Sequence, residues 1–542
     1  MTNRDIARFF NRLAKIMELH DENVFKIRSY SNAYLSLRKI EQDLSTMPVA
    51  EIAAIKGVGK NISDKIQELL QTGTLATYQK YVDKTPEGII KMLDIKGFGP
   101  KKIKVVWKEL GIENVGELLY ACNENRLVEL KGFGLKTQAT LKKQLEYFID
   151  SQGKYLFDYL EHEANELDQI IKSTFPNQQS TLAGQAKRMM PEVTGIDILS
   201  TIEDSELIAK IDGLGLNEDE TMLQYKSYPV FLHHVSTEEF GATAFKMNSG
   251  EQFLENVAEV PNGATEEEVF AKLGLTYVVP EYRESATAYE QSKNNQLPTL
   301  ITDKDIKGVV HNHSTYSDGL HSVKDMADEC IRLGYEYFVM SDHSKAAFYA
   351  NGLSEDRVTM QMAEIDKLNE SYKDFRIFKS IECDILNDGS MDYGDDFIKE
   401  FELVIASVHT NLKMDKTKAN ARLAKAIENP NTHILGHPTG RLLLAREGYP
   451  IDHAFIIDAC AANGMIIELN ANPSRLDLDW SWIPYALEKG VKISINPDAH
   501  SKDQIRYVHA GVCAARKGGL TADMCLNALG LSEFEKWVNS VR

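Results

Sequence analysis

Five short apolar runs after residue 300 end in a histidine or a carboxylate. They are IKGVVHNHS from Ile306, YEYFVMSDHS from Tyr335, LVIASVHT from Leu403, THILGHPTG from Thr432 and VKISINPDAHS from Val491. An apolar run too short for a helix and stopped by polar residues reads as a buried strand. Between the runs lie amphipathic stretches of helical period, among them HSVKDMADECIRLGY, RVTMQMAEIDKLNESY, ANARLAKAIEN, HAFIIDACAANG and IPYALEKG. Roughly seven strand–helix repeats of this kind predict a closed or distorted β/α barrel, with the polar tips gathered on one rim.

Those tips carry metal-ligand chemistry. Ten of the fourteen histidines fall after residue 300. His311, His313, Asp318, His343, Glu382, His409, His437, Asp498 and His500 form the candidate ligand set. Imidazole and carboxylate together suit Zn²⁺, Mn²⁺ or Fe²⁺. Nine donors exceed the needs of one ion and suit two or three, with one carboxylate bridging. Such a site acidifies a water and clamps phosphoryl oxygens, so phosphate-ester hydrolysis is the expected reaction class. His321, His433, His453 and His509 lie off the pattern and read as ordinary core or surface side chains.

The first 150 residues read as helical and repeat a motif. AIKGVGKNISDKI starts at Ala54, DIKGFGPKKIKVV at Asp94 and ELKGFGLKTQATL at Glu129. Each copy sets two glycines around one apolar residue ahead of a helix: Gly57 and Gly59, Gly97 and Gly99, Gly132 and Gly134. The apolar residue plugs a tight helical hairpin, and bare backbone N–H groups at the next helix start can hold a phosphate oxygen. Residues 1–150 carry 24 Lys and Arg against 19 Asp and Glu, although the whole chain has a net charge of −19. Only this part could face a polyanion broadly.

Six cysteines are scattered without a CxxC pair, which fits a reduced, cytoplasmic protein. No signal-peptide core and no membrane-length apolar run is present, so no membrane partner is expected.

The motifs HNHSTYSDG, SDHS, ECDIL, SVHTNL, GHPTGRLL, ELNANPSRLDL and PDAHS resemble the polymerase-and-histidinol-phosphatase (PHP) domain. In particular they resemble the PHP domain fused to bacterial family X DNA polymerases. With the helix-hairpin-helix motifs, the resemblance covers essentially the whole chain. It implies a multidomain protein with α-helical N-terminal domains, an α+β palm- and thumb-like middle and a C-terminal distorted β/α barrel. The expected segments are a small helical domain over 1–85, a fingers-like domain over 86–150, a palm over 151–225, a thumb-like region and polar linker over 226–295, and the PHP domain over 300–542. The resemblance also implies a trinuclear centre and 3′–5′ exonuclease or phosphodiesterase activity on DNA in repair. His311, His313, Glu382 and Asp498 would surround one metal. Glu382 would bridge to a second, held also by His409, and Asp318, His343, His437 and His500 would surround a third. Glu382, His409 and Asp498 are the expected catalytic residues, with Arg441 and Arg475 as candidate phosphate contacts. Lys65 matches the position of a Schiff-base lysine for deoxyribose-phosphate removal, which would need a neutral amine.

The polymerase half departs from the family pattern. Gln185 stands after Gly184 where a serine is expected, followed by Lys187 and Arg188. Gly195 replaces the first metal-binding Asp, Asp197 remains, and Phe231 takes the place of the third. The following loop reads Ala242-Thr243-Ala244-Phe245 where the family has Thr-Gly-Ser. One carboxylate cannot hold two Mg²⁺ ions against water, so Mg²⁺ is not expected at the palm. A small slip in this correspondence would bring Glu192, Glu238 or Glu239 into play instead. The expected partner is gapped or nicked duplex DNA with a 3′ end, bound by a monomer. The rival readings are an active gap-filling polymerase with PHP proofreading, a small-molecule phosphatase, and a DNA-end-binding protein.

Overall fold

The computed structural model describes residues 1–542 apart from 41, 96, 129, 151, 152, 218, 219 and 542. Lys96 in the second hairpin motif and Glu129 ahead of the third therefore lie outside the described residues. The chain divides into two compact units, Met1–Ile149 and Asp150–Arg542. No helix among the described residues is long and apolar enough to cross a membrane.

Among its described residues the first unit forms helices joined by short loops, without strands. The hairpins form as the repeats predict. Val58 and Phe98 are buried while the glycines on either side of each are exposed. Phe133, the third plug, packs edge-on to Phe98 with ring centroids 6.4 Å apart. The following helices, Gly59–Thr72 and Pro100–Leu110, carry no side-chain N-cap bond. Neither helix start is therefore satisfied by its N-cap side chain; in the second, Pro100 has no N–H and Lys102 N–H donates to Gly99 O at 3.0 Å.

The second unit begins with a two-stranded ribbon, β1 (Tyr155–Leu156) against β3 (Glu192–Val193). Next comes a five-stranded sheet in the order β2 (Ser180–Ala183), β4 (Ile196–Ser200), β7 (Tyr228–His234), β6 (Leu223–Tyr225), β5 (Leu214–Leu216). Only β4 and β7 pair in parallel. The palm-like sheet therefore runs past residue 225, with Tyr228–His234 as its central strand. The stretch Thr237–Met247, expected as a loop, is a helix. Glu238 and Glu239 in its first turn complement the helix dipole.

The polar stretch after Pro280 is not a loose linker. It holds a 3₁₀ turn, Pro280–Tyr282, and a helix, Ala286–Lys293. Three of its charges are buried in ion pairs. Arg283 is fully buried against Glu266 at 2.6 Å, Glu281 meets Arg516, and Glu284 receives both Arg188 at 2.8 Å and Lys517 at 3.0 Å. Composition alone cannot separate a solvated charge from a paired one.

The C-terminal part is a seven-stranded parallel sheet curled into a nearly closed barrel. Its order is β8 (Gly308–Val309), β9 (Tyr337–Met340), β10 (Arg376–Asp384), β11 (Leu403–Ser407), β12 (Ile434–Leu435), β13 (Ile466–Asn470), β14 (Ile493–Asn496). A bridge between Asn312 and Ala499 joins the first and last strands at the rim. At the other end the Asn527 amide spans the seam, donating to Gly308 O and Ile495 O and accepting from Ile495 N. Inward-facing Tyr337, Val339, Phe378, Leu403 and Ile405 pack on Phe534 of the C-terminal helix Leu531–Val541. Gly308 must be glycine because a Cβ there would collide with the Tyr337 ring. The apolar plug fills one end of the barrel and leaves the polar strand tips at the other.

Candidate metal centre

Six of the seven strands deliver candidate ligands at their C-terminal ends. His311, His313 and the loop residue Asp318 follow β8, His343 follows β9, Glu382 lies on β10, His409 follows β11, His437 follows β12, and Asp498 and His500 follow β14. All nine come together, and eight of them are fully buried or nearly so, with side-chain exposures between 0 and 5%, Asp318 being at 7%. Glu382 is the hub. Its Oε1 lies 3.2 Å from His311 Nε2, 3.0 Å from His409 Nε2 and 2.9 Å from His437 Nε2. Its Oε2 lies 2.8 Å from His343 Nδ1. Asp498 Oδ1 faces His313 Nε2 at 3.0 Å and His311 Nε2 at 3.6 Å. Asp318 faces His500 at 3.3 Å and His343 at 3.6 Å.

Barrel order changes the expected partition. The donor atoms converge as His313, Asp318, His343 and His500; as His311, His313 and Glu382; and as His343, Glu382 and His409. His437 falls beside Glu382 and not with Asp318 and His500, because its strand β12 sits away from the β8–β14 seam that carries those two. Three ligand candidates, His311, His437 and Asp498, adopt positive φ of 64°, 21° and 51°. Each such residue costs about 1–3 kcal/mol, a strain that concentrates at functional sites.

The donor set fits divalent cations on a specific observation. His343 Nδ1 and Glu382 Oε2 are 2.8 Å apart, yet neither forms a hydrogen bond of acceptable geometry, and His311 Nε2 and Asp318 Oδ2 behave likewise. These atoms aim at common points between them rather than at one another, as donors around a shared cation do. Electrostatics point the same way. Burial opposes charge on His343, but Asp318 and Glu382 outweigh it and push the ring up to about 10. Burial, with His500 and His343 beside it, pushes His313 down to about 4. Glu382, Asp318 and Asp498 stay well below the usual carboxylate range despite burial, held there by the facing imidazoles.

Sequence reasoning missed the groups behind the ligands. Strand β13 provides no ligand but carries Glu468, wholly buried. Its Oε2 takes His311 Nδ1 at 2.6 Å and Asn496 Nδ2 at 2.8 Å. Its Oε1 accepts from the His437 backbone N–H at 3.1 Å and Asn470 Nδ2 at 3.0 Å. Asp384 holds His409 Nδ1 at 3.2 Å. Asp342 accepts from the Ser314 backbone and hydroxyl at 2.8 and 2.6 Å, pinning the loop that carries Asp318. A carboxylate inside an apolar strand, as in MIIELN, was the available signal. Arg475 lies buried with Nε 3.8 Å from Asp498. Arg441 is committed to Asp479 and to the carbonyls of Arg475 and Leu476.

The palm looks different. Asp197 on β4 lies directly beside Phe231 in the parallel register, and its Oδ1 meets His233 Nε2 at 2.8 Å. A Cβ on Gly195 would lie 2.6 Å from Pro229 O and 2.9 Å from the Phe231 ring. The two departures are thus linked, because the phenyl ring fills the space a side chain at 195 would use. Glu192 pairs with Lys154 at 3.3 Å and Glu239 accepts from Ser236. Among the described residues no group of three donor atoms gathers at Asp197. Lys65, half-buried, donates to Thr77 at 2.9 Å.

Comparison with known proteins agrees with this architecture. Residues 1–75 match the helix-hairpin-helix domain and residues 89–146 match the SAM-like helix-hairpin-helix tandem. The chain is 32% identical to a DNA polymerase/3′-5′ exonuclease PolX of Bacillus subtilis (strain 168), over 99% of both chains. It is 27% identical to a probable phosphatase of Thermoanaerobacter sp. (strain X514) over 40% of this chain and 88% of that protein. A probable phosphatase of Syntrophotalea carbinolica is 27% identical over 30% of this chain and 64% of its own length.

Proposed function

The chain belongs to the PolX-type family X DNA polymerases, and from that membership we propose that it is a metal-dependent 3′–5′ DNA exonuclease or phosphodiesterase of DNA repair whose palm no longer transfers nucleotides. The carrying observation is the convergence of nine buried donors at one barrel rim, beside a palm left with one carboxylate. Bound divalent ions, whether Mn²⁺, Zn²⁺ or Fe²⁺, would supply charge for a phosphoryl oxygen and an acidified water. His311, His313, Asp318, His343, Glu382, His409, His437, Asp498 and His500 would hold two or three of them.

The chain's own contribution is preorganisation. Glu468 and Asp384 take the outer nitrogens of His311 and His409, which fixes the inner Nε2 atoms toward Glu382. Asp498 directs one oxygen to His311 and His313 and the other to Asn470, 2.9 Å away. We assign Glu382, His409 and Asp498 to the hydrolytic step. The hairpins with Gly57, Gly59, Gly97, Gly99, Gly132 and Gly134 would grip the DNA backbone through helix N-termini.

With Mn²⁺ and a 5′-labelled gapped duplex, the protein is expected to release mononucleotides from the 3′ end. His313→Ala and Glu382→Ala should each lose that activity, and full activity in either would overturn the assignment. The name of the Bacillus subtilis relative favours a second reading, a polymerase with proofreading. Template-dependent extension with dNTPs that vanishes in Asp197→Ala would establish it.

A further inference from the structure

His509 is not the ordinary side chain its sequence position suggested. It stands on the helix Val508–Lys517, one turn before Cys513, so both point from one helix face. That face meets Glu161 on the helix Phe157–Thr174, the first helix of the palm. His509 Nε2 lies 3.1 and 3.2 Å from the two Glu161 oxygens and 3.6 Å from Cys513 Sγ. On the other side of the ring, Nδ1 meets both oxygens of Asp303 at 3.0 and 3.1 Å.

We propose that Glu161, His509 and Cys513 form a second, transition-metal site that clasps the palm helix to the barrel. One donor atom from each lies within 4.8 Å of the other two. A tetrahedral zinc-type ion, at about 2.3 Å from sulfur and about 2.1 Å from nitrogen and oxygen, sets N–S and N–O edges of about 3.6 and 3.4 Å. The observed separations lie within about 0.3 Å of those edges. Asp303 supplies the outer carboxylate that orients a ligating imidazole. Cys513 is buried in the palm core, and its thiolate selects for a softer ion than the oxygen- and nitrogen-only main centre. The ring is partly exposed, with 42% of the side chain accessible, which leaves a fourth position for water. Without an ion the same cradle holds a proton: Asp303, Cys513 and Glu161 keep His509 far above the usual imidazole range. Occupation displaces that proton and the thiol proton to solvent.

Thiolate ligation separates this site from the main centre, whose donors include no cysteine. The chelator-stripped full chain titrated with Co²⁺ should develop a thiolate-to-cobalt charge-transfer band in the near ultraviolet, whose final amplitude corresponds to one thiolate-bound ion per chain beyond the ions taken up by the main centre. Cys513→Ser and His509→Ala should abolish the band, and His313→Ala should keep it. Glu161→Gln, at a partly exposed position, should weaken the titration by tenfold or more and serves if the first two variants fold poorly. A wild-type chain without the band, or a band that survives Cys513→Ser, overturns the proposal.

Discussion

His311 shows how much a single candidate ligand depends on a residue outside the donor set. Its ring is fixed at Nδ1 by Glu468, which also accepts from the His437 backbone N–H. Losing a carboxylate in that outer position typically costs 10–100-fold in metal affinity. Glu468→Gln is therefore expected to weaken divalent-metal binding by about that factor, read by competition titration against a chromophoric chelator. Unchanged affinity would refute the positioning role. Asp384→Asn should act in the same direction through His409. At the palm, the tight space around Gly195 makes the opposite prediction. If the palm is inactive as proposed, Gly195→Asp should not restore nucleotide transfer. It should also lower stability by about 1–3 kcal/mol, because Pro229 O and the Phe231 ring must move aside; denaturant unfolding reads it.

The hairpins and the barrel strands are the elements that repeat. The first two hairpins each bury one apolar residue and expose two glycines, and their basic neighbours face solvent. Lys56, Lys60 and Lys101 are exposed beside the first two hairpins. Replacing one by Ala should reduce the salt dependence of DNA binding by about one counterion, equally across sequences. An unchanged slope in all three variants would mean that these hairpins do not meet phosphate. Along the barrel, sequence patterning revealed every strand that ends in a histidine. It passed over β13 as a source of site residues because Glu468 sits inside the apolar run rather than after it.

In the second unit, buried ions lock the palm to the barrel. Glu284 lies between Arg188 of the palm and Lys517 of the barrel. Glu284→Ala would leave Lys517 buried, and Arg188 partly buried, without their shared carboxylate, at a cost of about 3–5 kcal/mol, measurable as a lower unfolding midpoint. Burial, though opposed by Glu284, pushes Lys517 down to about 8, against 10.5 for an ordinary lysine. The unfolded chain thus binds more protons than the folded one between those values, and stability from this group rises with pH across that window. Comparing wild type with Lys517→Met from pH 7.5 to 10.5 tests the sign. A gap that fails to widen in favour of wild type as pH rises would contradict it.

The strand-tip pattern by itself determined the barrel and the rim on which the histidine candidates gather, because strand period and strand termination are local properties of the chain. Three glycine-flanked plugs likewise determined the hairpins. Only the tertiary structure decided which donors share a point, since that depends on which strand tips adjoin around a closed sheet. It placed His437 with Glu382, put Glu468 behind His311, and turned the polar stretch after Pro280 into a packed seam. It also brought His509 to Glu161, which lies 348 residues away in the chain. Pairings of that range leave no local trace, because each partner alone reads as a solvated charge.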